Sequence, residues 1–359
     1  MHLLDNPLYR EDIKKVGSLP LPWEKLCGRS LLLSGATGLV GSFLVDTILS
    51  KNVEGLDCTV YALGRSEAKA AARFEKWAEN KYYRFLPYDV NLPFVREDLG
   101  TVDYVLHLAS NTHPMQYATD PIGTITTNII GLNHMLEFAV AHSAGRFAFT
   151  SSNEIYGENR GDVELFREDY CGYINSNTMR AGYPESKRCG EALCQAYMAQ
   201  KGLDVVIPRP TRSYGPTMQM SDTKAISQFI KKAVSGENIV LKSAGTQNYS
   251  FAYMADTVSG LLTVLLRGER GEAYNIADEA SNITLRDLAG ILARCAGTEV
   301  CYEIPDAVEA SGYSKATKAL LDGSKLKALG WKPLYSIETG LPRTVEILKD
   351  LTAELTKLA

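Results

Sequence analysis

The chain has 359 residues, 45% of them hydrophobic and 22% charged, with a formal net charge of −4. That length can bury a sizeable core in one large or two closely packed domains, and the balanced charge gives no basic field for nucleic acid or an anionic membrane surface. The longest apolar stretches, such as Leu31 to Leu33 and Val102 to Ala109, are interrupted by Gly, Asp or His well short of the roughly 18 residues of a membrane span. Residues 1–23 carry Asp5, Glu11 and Asp12 and no apolar leader region, so no secretory signal is expected. Seven cysteines, Cys27, Cys58, Cys171, Cys189, Cys194, Cys295 and Cys301, lack Cys-x-x-Cys spacing and read as reduced thiols in a cytoplasm. Five scattered histidines form no ligand set, so no metal is expected.

In chain order, the apolar run Ser30 to Ser34 leads directly into Gly35-Ala-Thr37-Gly38-Leu39-Val40-Gly41, and Leu39 to Leu49 then carries apolar residues at helical spacing. In this strand, turn and helix, Gly35 permits the tight turn, Gly38 lets the backbone approach a pyrophosphate and Gly41 lets the helix pack on its strand. Free N–H groups at the helix start favour phosphate. A second strand, Thr59 to Leu63, ends in Gly64-Arg65-Ser66 rather than in the acid that would hold the ribose diol of NAD. Arg65 can instead pair with the 2′-phosphate of NADP, stack on adenine or lie solvated. NAD is the expected cofactor, because a cycle that regenerates its own cofactor needs no NADPH pool, and NADP is the alternative through Arg65.

The helical stretch Ala68 to Trp77 follows, then Asp89-Val90, placed to contact adenine unless Asp89 merely caps a turn. The strand Tyr104 to Leu108 ends at Ala109-Ser110, which would border the cofactor. A helix is expected over Thr127 to His142, a strand over Phe147 to Thr150, a helix over Glu185 to Lys201 and a strand over Val205 to Ile207. This alternation predicts an α/β fold: a doubly wound parallel sheet of the Rossmann type, covered on both faces. After Arg209 shorter elements punctuated by glycine predict a smaller α/β lobe with the substrate cleft between the two parts. The division is residues 1–28 as an N-terminal extension, 29–208 mainly dinucleotide domain and 209–359 mainly substrate lobe.

Tyr183-Pro-Glu-Ser-Lys187 follows the glycine turn at the distance a nicotinamide enzyme needs. On a helix the two side chains share a face one turn apart, and an ammonium beside a phenol favours the phenolate, which can take a hydroxyl proton as hydride leaves carbon. Ser152, in Thr150-Ser-Ser-Asn-Glu-Ile-Tyr-Gly157, can hydrogen-bond the same oxygen. Alone, Tyr-x-x-x-Lys is usually a solvated helix face; with the glycine turn and Ser152 it is a parts list for oxidising a secondary alcohol.

Gly35-x-x-Gly38-x-x-Gly41, His107-Leu-Ala109, Ser152-x-x-x-Tyr156-Gly157, Tyr183-x-x-x-Lys187 and Arg209-x-x-x-x-Tyr214-Gly215-Pro216 occur in the order of the extended short-chain dehydrogenase/reductases that modify nucleotide sugars. From about Leu31 to Leu348 the chain resembles this NAD-dependent epimerase/dehydratase family, and within it the UDP-glucuronate decarboxylases that make UDP-xylose, through Gly172-Tyr-Ile-Asn175, Arg180-Ala181, Tyr183-x-Glu185-x-Lys187-Arg188, and Met218-x-Met220-x-Asp222 with Ser227-x-Phe229-Ile230. The resemblance implies catalytic Tyr183, Lys187, Ser152 and Glu154, the last acting near C5 of the sugar or else anchoring its loop. It implies a redox-neutral cycle through a 4-keto nucleoside-diphosphate sugar, contacts to that sugar from Asn153, Arg180, Arg212, Gln247 and Tyr249, and a homodimer across the helices at 127–142 and 183–201. Three positions depart from the pattern. Asn153 replaces the usual dehydratase aspartate, Arg212 an asparagine beside the diphosphate, and Tyr249 an arginine of the decarboxylases, as though one cation had moved from 249 to 212. Decarboxylation is the first reading, epimerisation the second and dehydration the third; a dinucleotide sensor without catalysis is the remote alternative.

Overall fold

The computed structural model describes residues 2–112, 114–303 and 317–358. Helix α1 (Pro7–Gly17) precedes strand β1 (Ser30–Ser34), which runs through the glycine turn into α2 (Leu39–Asn52). β2 (Thr59–Gly64), α3 (Glu67–Arg73), β3 (Tyr83–Pro87), β4 (Tyr104–His107), α4 (Pro114–Thr119), α5 (Pro121–Ala141), β5 (Arg146–Phe149), α6 (Gly182–Lys201) and β6 (Val205–Pro210) follow. The second half contributes β7 (Arg212–Tyr214), α7 (Ala225–Ser235), β8 (Ile239–Leu241), β9 (Asn248–Tyr253), α8 (Met254–Arg267), β10 (Ala273–Ile276), β11 (Asn282–Thr284), α9 (Leu285–Ala296), β12 (Val300–Tyr302), β13 (Lys318–Ala319) and a C-terminal helix, Ile337–Leu358.

The main sheet has seven strands in the order β10-β6-β5-β4-β1-β2-β3, all parallel. Leu31, Leu32 and Leu33 of β1 are completely buried, as a central strand covered by helices on both faces requires. The order reverses between β1 and β4, and the crevice beyond the carboxyl ends of the strands at that point is where such sheets bind ligands. The chain crosses the expected boundary at 208/209 more than once. β10 returns to the main sheet beside β6, while Phe166 bridges to Leu321. A smaller sheet around β9, with β11, β13 and β7, and the β8–β12 pair build the second lobe.

Two helices differ from their sequence-based limits. The expected run from Ala68 to Trp77 breaks at Phe74, which is buried against Tyr83 and leaves helical geometry, so a short 3-10 turn covers Glu75–Trp77. Helix α5 starts at Pro121 rather than near Thr127, because Asp120 caps it by accepting from the Gly123 N–H at 3.0 Å and Pro121 suits the first turn.

Within residues 2–28, helix α1 is bonded to both lobes. Asp12 of α1 is fully buried and accepts hydrogen bonds from Tyr253 Oη and Tyr335 Oη (2.5 Å each) and Arg343 Nε (2.7 Å), tying α1 to the second lobe. Tyr9 donates to Asp46 of α2 at 2.6 Å, tying α1 to the dinucleotide domain. Burial raises the Asp12 carboxyl despite these donors. Among the described residues no helix is long and apolar enough to cross a membrane, and no cluster of three His, Cys, Asp or Glu side chains could hold a metal ion.

Candidate active site

The glycine turn fits the close approaches expected of it. Gly35 has φ +73°, and a Cβ there would stand 2.8 Å from the Ala109 nitrogen; a Cβ at Gly41 would stand 2.4 Å from the Gly35 carbonyl oxygen. Side chains at either position would push α2 off β1 and β4. Gly38 has ordinary backbone angles, and a Cβ there would meet only the Gly35 oxygen at 3.2 Å, so the fold itself asks little of it. Leu39 and Val40 follow as the first turn of α2. Thr37 lies against the end of β2, its hydroxyl 3.7 Å from where a Gly64 Cβ would stand. Asp89 does cap a turn, accepting from Asn91 N and Nδ2 at 3.0 Å, and Val90 is buried, its carbonyl 2.9 Å from His134 Nδ1. Arg65, the residue after β2, is exposed.

Across the switch point, the start of α6 carries Tyr183 and Lys187, both buried. Ser152 and Ser110 lie close enough to the Tyr183 hydroxyl to favour its ionised form. Ser152 caps the short turn Asn153–Tyr156, accepting from the Glu154 N–H at 3.2 Å, which fixes both side chains beside Tyr183. Lys187 Nζ donates to the Thr150 carbonyl at 2.8 Å and sits 6.0 Å from the centre of the Tyr183 ring. Burial lowers the ammonium to about 7, with Glu191 and Cys194 opposing. The phenol differs from expectation: burial lifts Tyr183 well above the ordinary value, Glu154 adds to the rise, and hydrogen bonds from Ser152 and Ser110 with the charge of Arg180 oppose it. In the protein alone, desolvation therefore outweighs the help expected from a lysine one turn away.

Three participants were missed from sequence. Asn128 of α5 is completely buried, accepts from Ser110 Oγ at 2.8 Å and donates to Ser186 Oγ at 2.9 Å, and Ser186 in turn donates to the Tyr183 carbonyl at 2.8 Å. This network locks Ser110 and the first turn of α6 together. An Asn directly before Ile129 and Ile130 in α5 was the available signal. Tyr117 of α4 stacks on Tyr183 with centroids 5.0 Å apart and carries the Arg180 guanidinium 4.9 Å from its own centroid.

The substrate-side candidates converge on Glu154. Arg180 Nη2 lies 2.8 Å from one of its carboxylate oxygens and 3.0 Å from the other. Arg212, at the start of β7, places its guanidinium 3.7 Å from the centre of the Tyr249 ring on the adjacent β9. Burial pulls Arg212 below an ordinary guanidinium, Tyr249 and Glu154 oppose this, and the charge of Arg180 adds to it. Its Nη1 is buried without a hydrogen-bond acceptor, which fits a site awaiting an anion. Asn153 is buried beside them. Gln247, one residue before β9, pairs its side chain with Ser243 at 3.4 Å, and its carbonyl accepts from Leu285 N–H. His107 and Arg209, both motif residues, serve the scaffold. His107 stays neutral, pushed by burial to about 3, and contacts Ser34 Oγ at 2.9 Å; Arg209 grips Glu191 at 2.9 and 2.6 Å and donates to Tyr156 Oη.

A family model described as the NAD dependent epimerase/dehydratase family matches residues 31–277. The chain belongs to that family. It is 31% identical over 324 residues to UDP-glucuronic acid decarboxylase 1 of Xenopus tropicalis, covering 89% of this chain and 72% of that one. It is also 31% identical to UDP-glucuronic acid decarboxylase 5 of Arabidopsis thaliana, covering 90% and 91% of the two chains. Among solved structures, a dTDP-glucose 4,6-dehydratase variant of Streptomyces venezuelae with NAD bound superposes with a TM-score of 0.76 at 26% identity, over 92% of this chain and 99% of that one. A UDP-glucuronic acid 4-epimerase of Bacillus cereus, with UDP-glucuronic acid and NAD, shares the fold at 23% identity with a TM-score of 0.76, over 90% and 99%.

Proposed function

We propose that this member of the family transiently oxidises C4 of a nucleoside-diphosphate sugar and decarboxylates a UDP-glucuronate-like substrate. The observation that carries the reading is the convergence of Tyr183, Ser152 and Lys187 with Glu154, Arg180 and Arg212 at one corner of the sheet. The decarboxylase relatives support the choice of end reaction. A nicotinamide adenine dinucleotide fits the groove: the turn from Gly35 to Gly41, with Thr37, Leu39 and Val40, would hold its pyrophosphate, Asp89 and Val90 its adenine, and Ala109, Ser110, Tyr183 and Lys187 its nicotinamide half. Its ring supplies the hydride acceptor and donor, and its positive charge favours the Tyr183 phenolate. NAD is the form bound in the solved dehydratase.

The chain's own part is proton handling and orientation. Tyr183 takes the C4 hydroxyl proton while Ser152 holds that oxygen. In the resulting β-keto acid the bond from C5 to the carboxylate breaks, its electron pair passes into the 4-keto system as carbon dioxide leaves, and C5 then takes a proton from water, relayed through the Glu154 carboxylate. Tyr183 then returns its proton to O4 as C4 is reduced. Arg212, stacked on Tyr249, supplies the cation that meets the substrate's negative charge. Asn153 cannot donate the proton that elimination of water needs, which ranks dehydration below epimerisation.

We further propose a homodimer across α5 and α6, where Ile122, Ile125 and Ile130 are exposed, and a cytoplasmic location consistent with seven free thiols. The test is a mass measurement of the product formed from a panel of nucleotide sugars. Loss of carbon dioxide from UDP-glucuronate supports the reading, whereas an unchanged mass or loss of water replaces it with epimerisation or dehydration.

A further inference from the structure

Behind the catalytic corner, one buried guanidinium joins the two elements that carry the chemistry. Arg209 of β6, 8% exposed, holds both carboxylate oxygens of Glu191 with Nε and Nη2, at 2.9 and 2.6 Å. Its Nη1 donates to Tyr156 Oη at 2.9 Å and to the Glu168 carbonyl at 2.8 Å. Glu191 lies on α6 four residues after Lys187, one turn along the same face. Tyr156 closes the short turn Asn153–Tyr156, which carries Glu154 and is capped by Ser152. The Tyr156 ring is completely buried, stacks on Phe166 with centroids 5.2 Å apart and donates from Oη to Asn275 Oδ1 at 2.6 Å. All three nitrogens of the guanidinium are engaged, with one arm on the helix of Lys187 and the other on the turn of Glu154.

A buried bidentate pair fixes direction as well as charge, because the planar guanidinium fork meets a carboxylate in one preferred geometry. The groups acting on Lys187 are few. Glu191 and Cys194 stand on its own helix with Tyr183 one turn before it, β4 contributes the neutral His107, and β5 contributes the Phe149 ring at 4.8 Å and the Thr150 carbonyl at its end. Glu191 is the only carboxylate among them, and Arg209 sets how much of its charge the ammonium feels. The charged and titratable groups around Tyr183 are Glu154, Arg180 and Tyr117, none of which touches this pair. We propose that Arg209 and Glu191 are positioning residues for the reaction: through Glu191 the pair sets the field at Lys187, and through Tyr156 it holds the turn that presents Ser152 and Glu154 to the sugar. The proposal rests on the C4 oxidation of the proposed function.

The test is the pH profile of the first hydride transfer, read as the rate of cofactor reduction in a single turnover of the NAD-loaded, full-length protein with UDP-glucuronate. Glu191→Gln removes a negative charge and keeps the shape, so the profile should move to lower pH by about half a unit or more, with the rate at neutral pH down about tenfold. Arg209→Met frees the Glu191 charge and should move the profile to higher pH. The double variant carries neither charge, and its profile should return towards the parent while the rate stays about tenfold low, since the hold on Tyr156 is still missing. Tyr156→Phe cuts only the link to the turn and should lower the rate about tenfold with the profile in place. The last two variants leave no unpaired buried charge, so they decide the matter even where a single variant fails to fold. Rate losses with every profile unmoved, shifts of the same sign in both single variants, or parent-like rates in the double variant or in Tyr156→Phe overturn the proposal and leave a merely structural pair. A parent protein that reduces its cofactor with no nucleotide sugar refutes the C4 oxidation itself.

Discussion

The two ends of the glycine-turn groove are built differently. At the catalytic end Tyr183, Ser152, Lys187 and Asn128 are buried and bonded to one another or to backbone. At the other, beyond α2, Arg73 keeps Nε and Nη1 and Ser42 its Oγ buried without hydrogen-bond partners. The substrate face resembles the second end, since Arg212 keeps an orphaned Nη1 although Arg180 is paired with Glu154. Fixed, satisfied groups hold a reacting centre in place, whereas unsatisfied cations mark where a ligand completes the structure.

Removing the phenol should produce the largest effect. Tyr183→Phe is expected to lower kcat by about 10³-fold while leaving dinucleotide affinity within about twofold, because it deletes a transferable proton and keeps the ring on Tyr117. Turnover near the parent rate would dissolve the contrast between the two ends. Glu154→Gln should cost about 10²-fold in final product but spare the first oxidation, leaving reduced cofactor visible by absorbance in a single turnover. Normal product at normal rate would reduce Glu154 to an anchor for Arg180.

Arg212→Met should act on binding, raising KM by roughly tenfold or more for one lost charge-assisted contact. A fall in kcat with KM unchanged would place Arg212 among the reacting groups instead. The smallest expected effect concerns stability. Lys187 sits near 7 when folded against an ordinary lysine value when unfolded, so between these the unfolded chain binds the extra proton and stability rises with pH. Lys187→Met should flatten that rise in denaturant titrations of the dinucleotide-free protein, besides weakening cofactor binding and rate. An unchanged slope would show that Lys187 is not desolvated as the structure has it.

The catalytic corner was legible in sequence because its spacing is local. Gly35 to Gly41 is one turn, Tyr183 and Lys187 are one helical turn apart, and the strands at 30–34 and 104–107 have apolar centres in Leu31 to Leu33 and Val105-Leu106. Contacts between distant segments were harder to read. Tyr117 reaches Tyr183 only once α4 folds back, and Asp12 finds Tyr253, Tyr335 and Arg343 across more than 240 residues. β3 is an edge strand whose exposed Arg84 and Pro87 dilute the apolar pattern, and β10 looks like part of the second lobe until its pairing with β6 is seen. The shift from Tyr249 to Arg212 was visible as a pair of substitutions, and the stacked guanidinium supplies its physical link.

The most direct test of transient C4 oxidation followed by loss of the C5 carboxylate is turnover of UDP-glucuronate deuterated at C4, with the product analysed by mass and by the position of the label. The expected product has lost carbon dioxide and retains deuterium at C4, because the same hydride leaves and returns. A product of unchanged mass, or one whose C4 deuterium has been washed out to solvent, would contradict that sequence of steps.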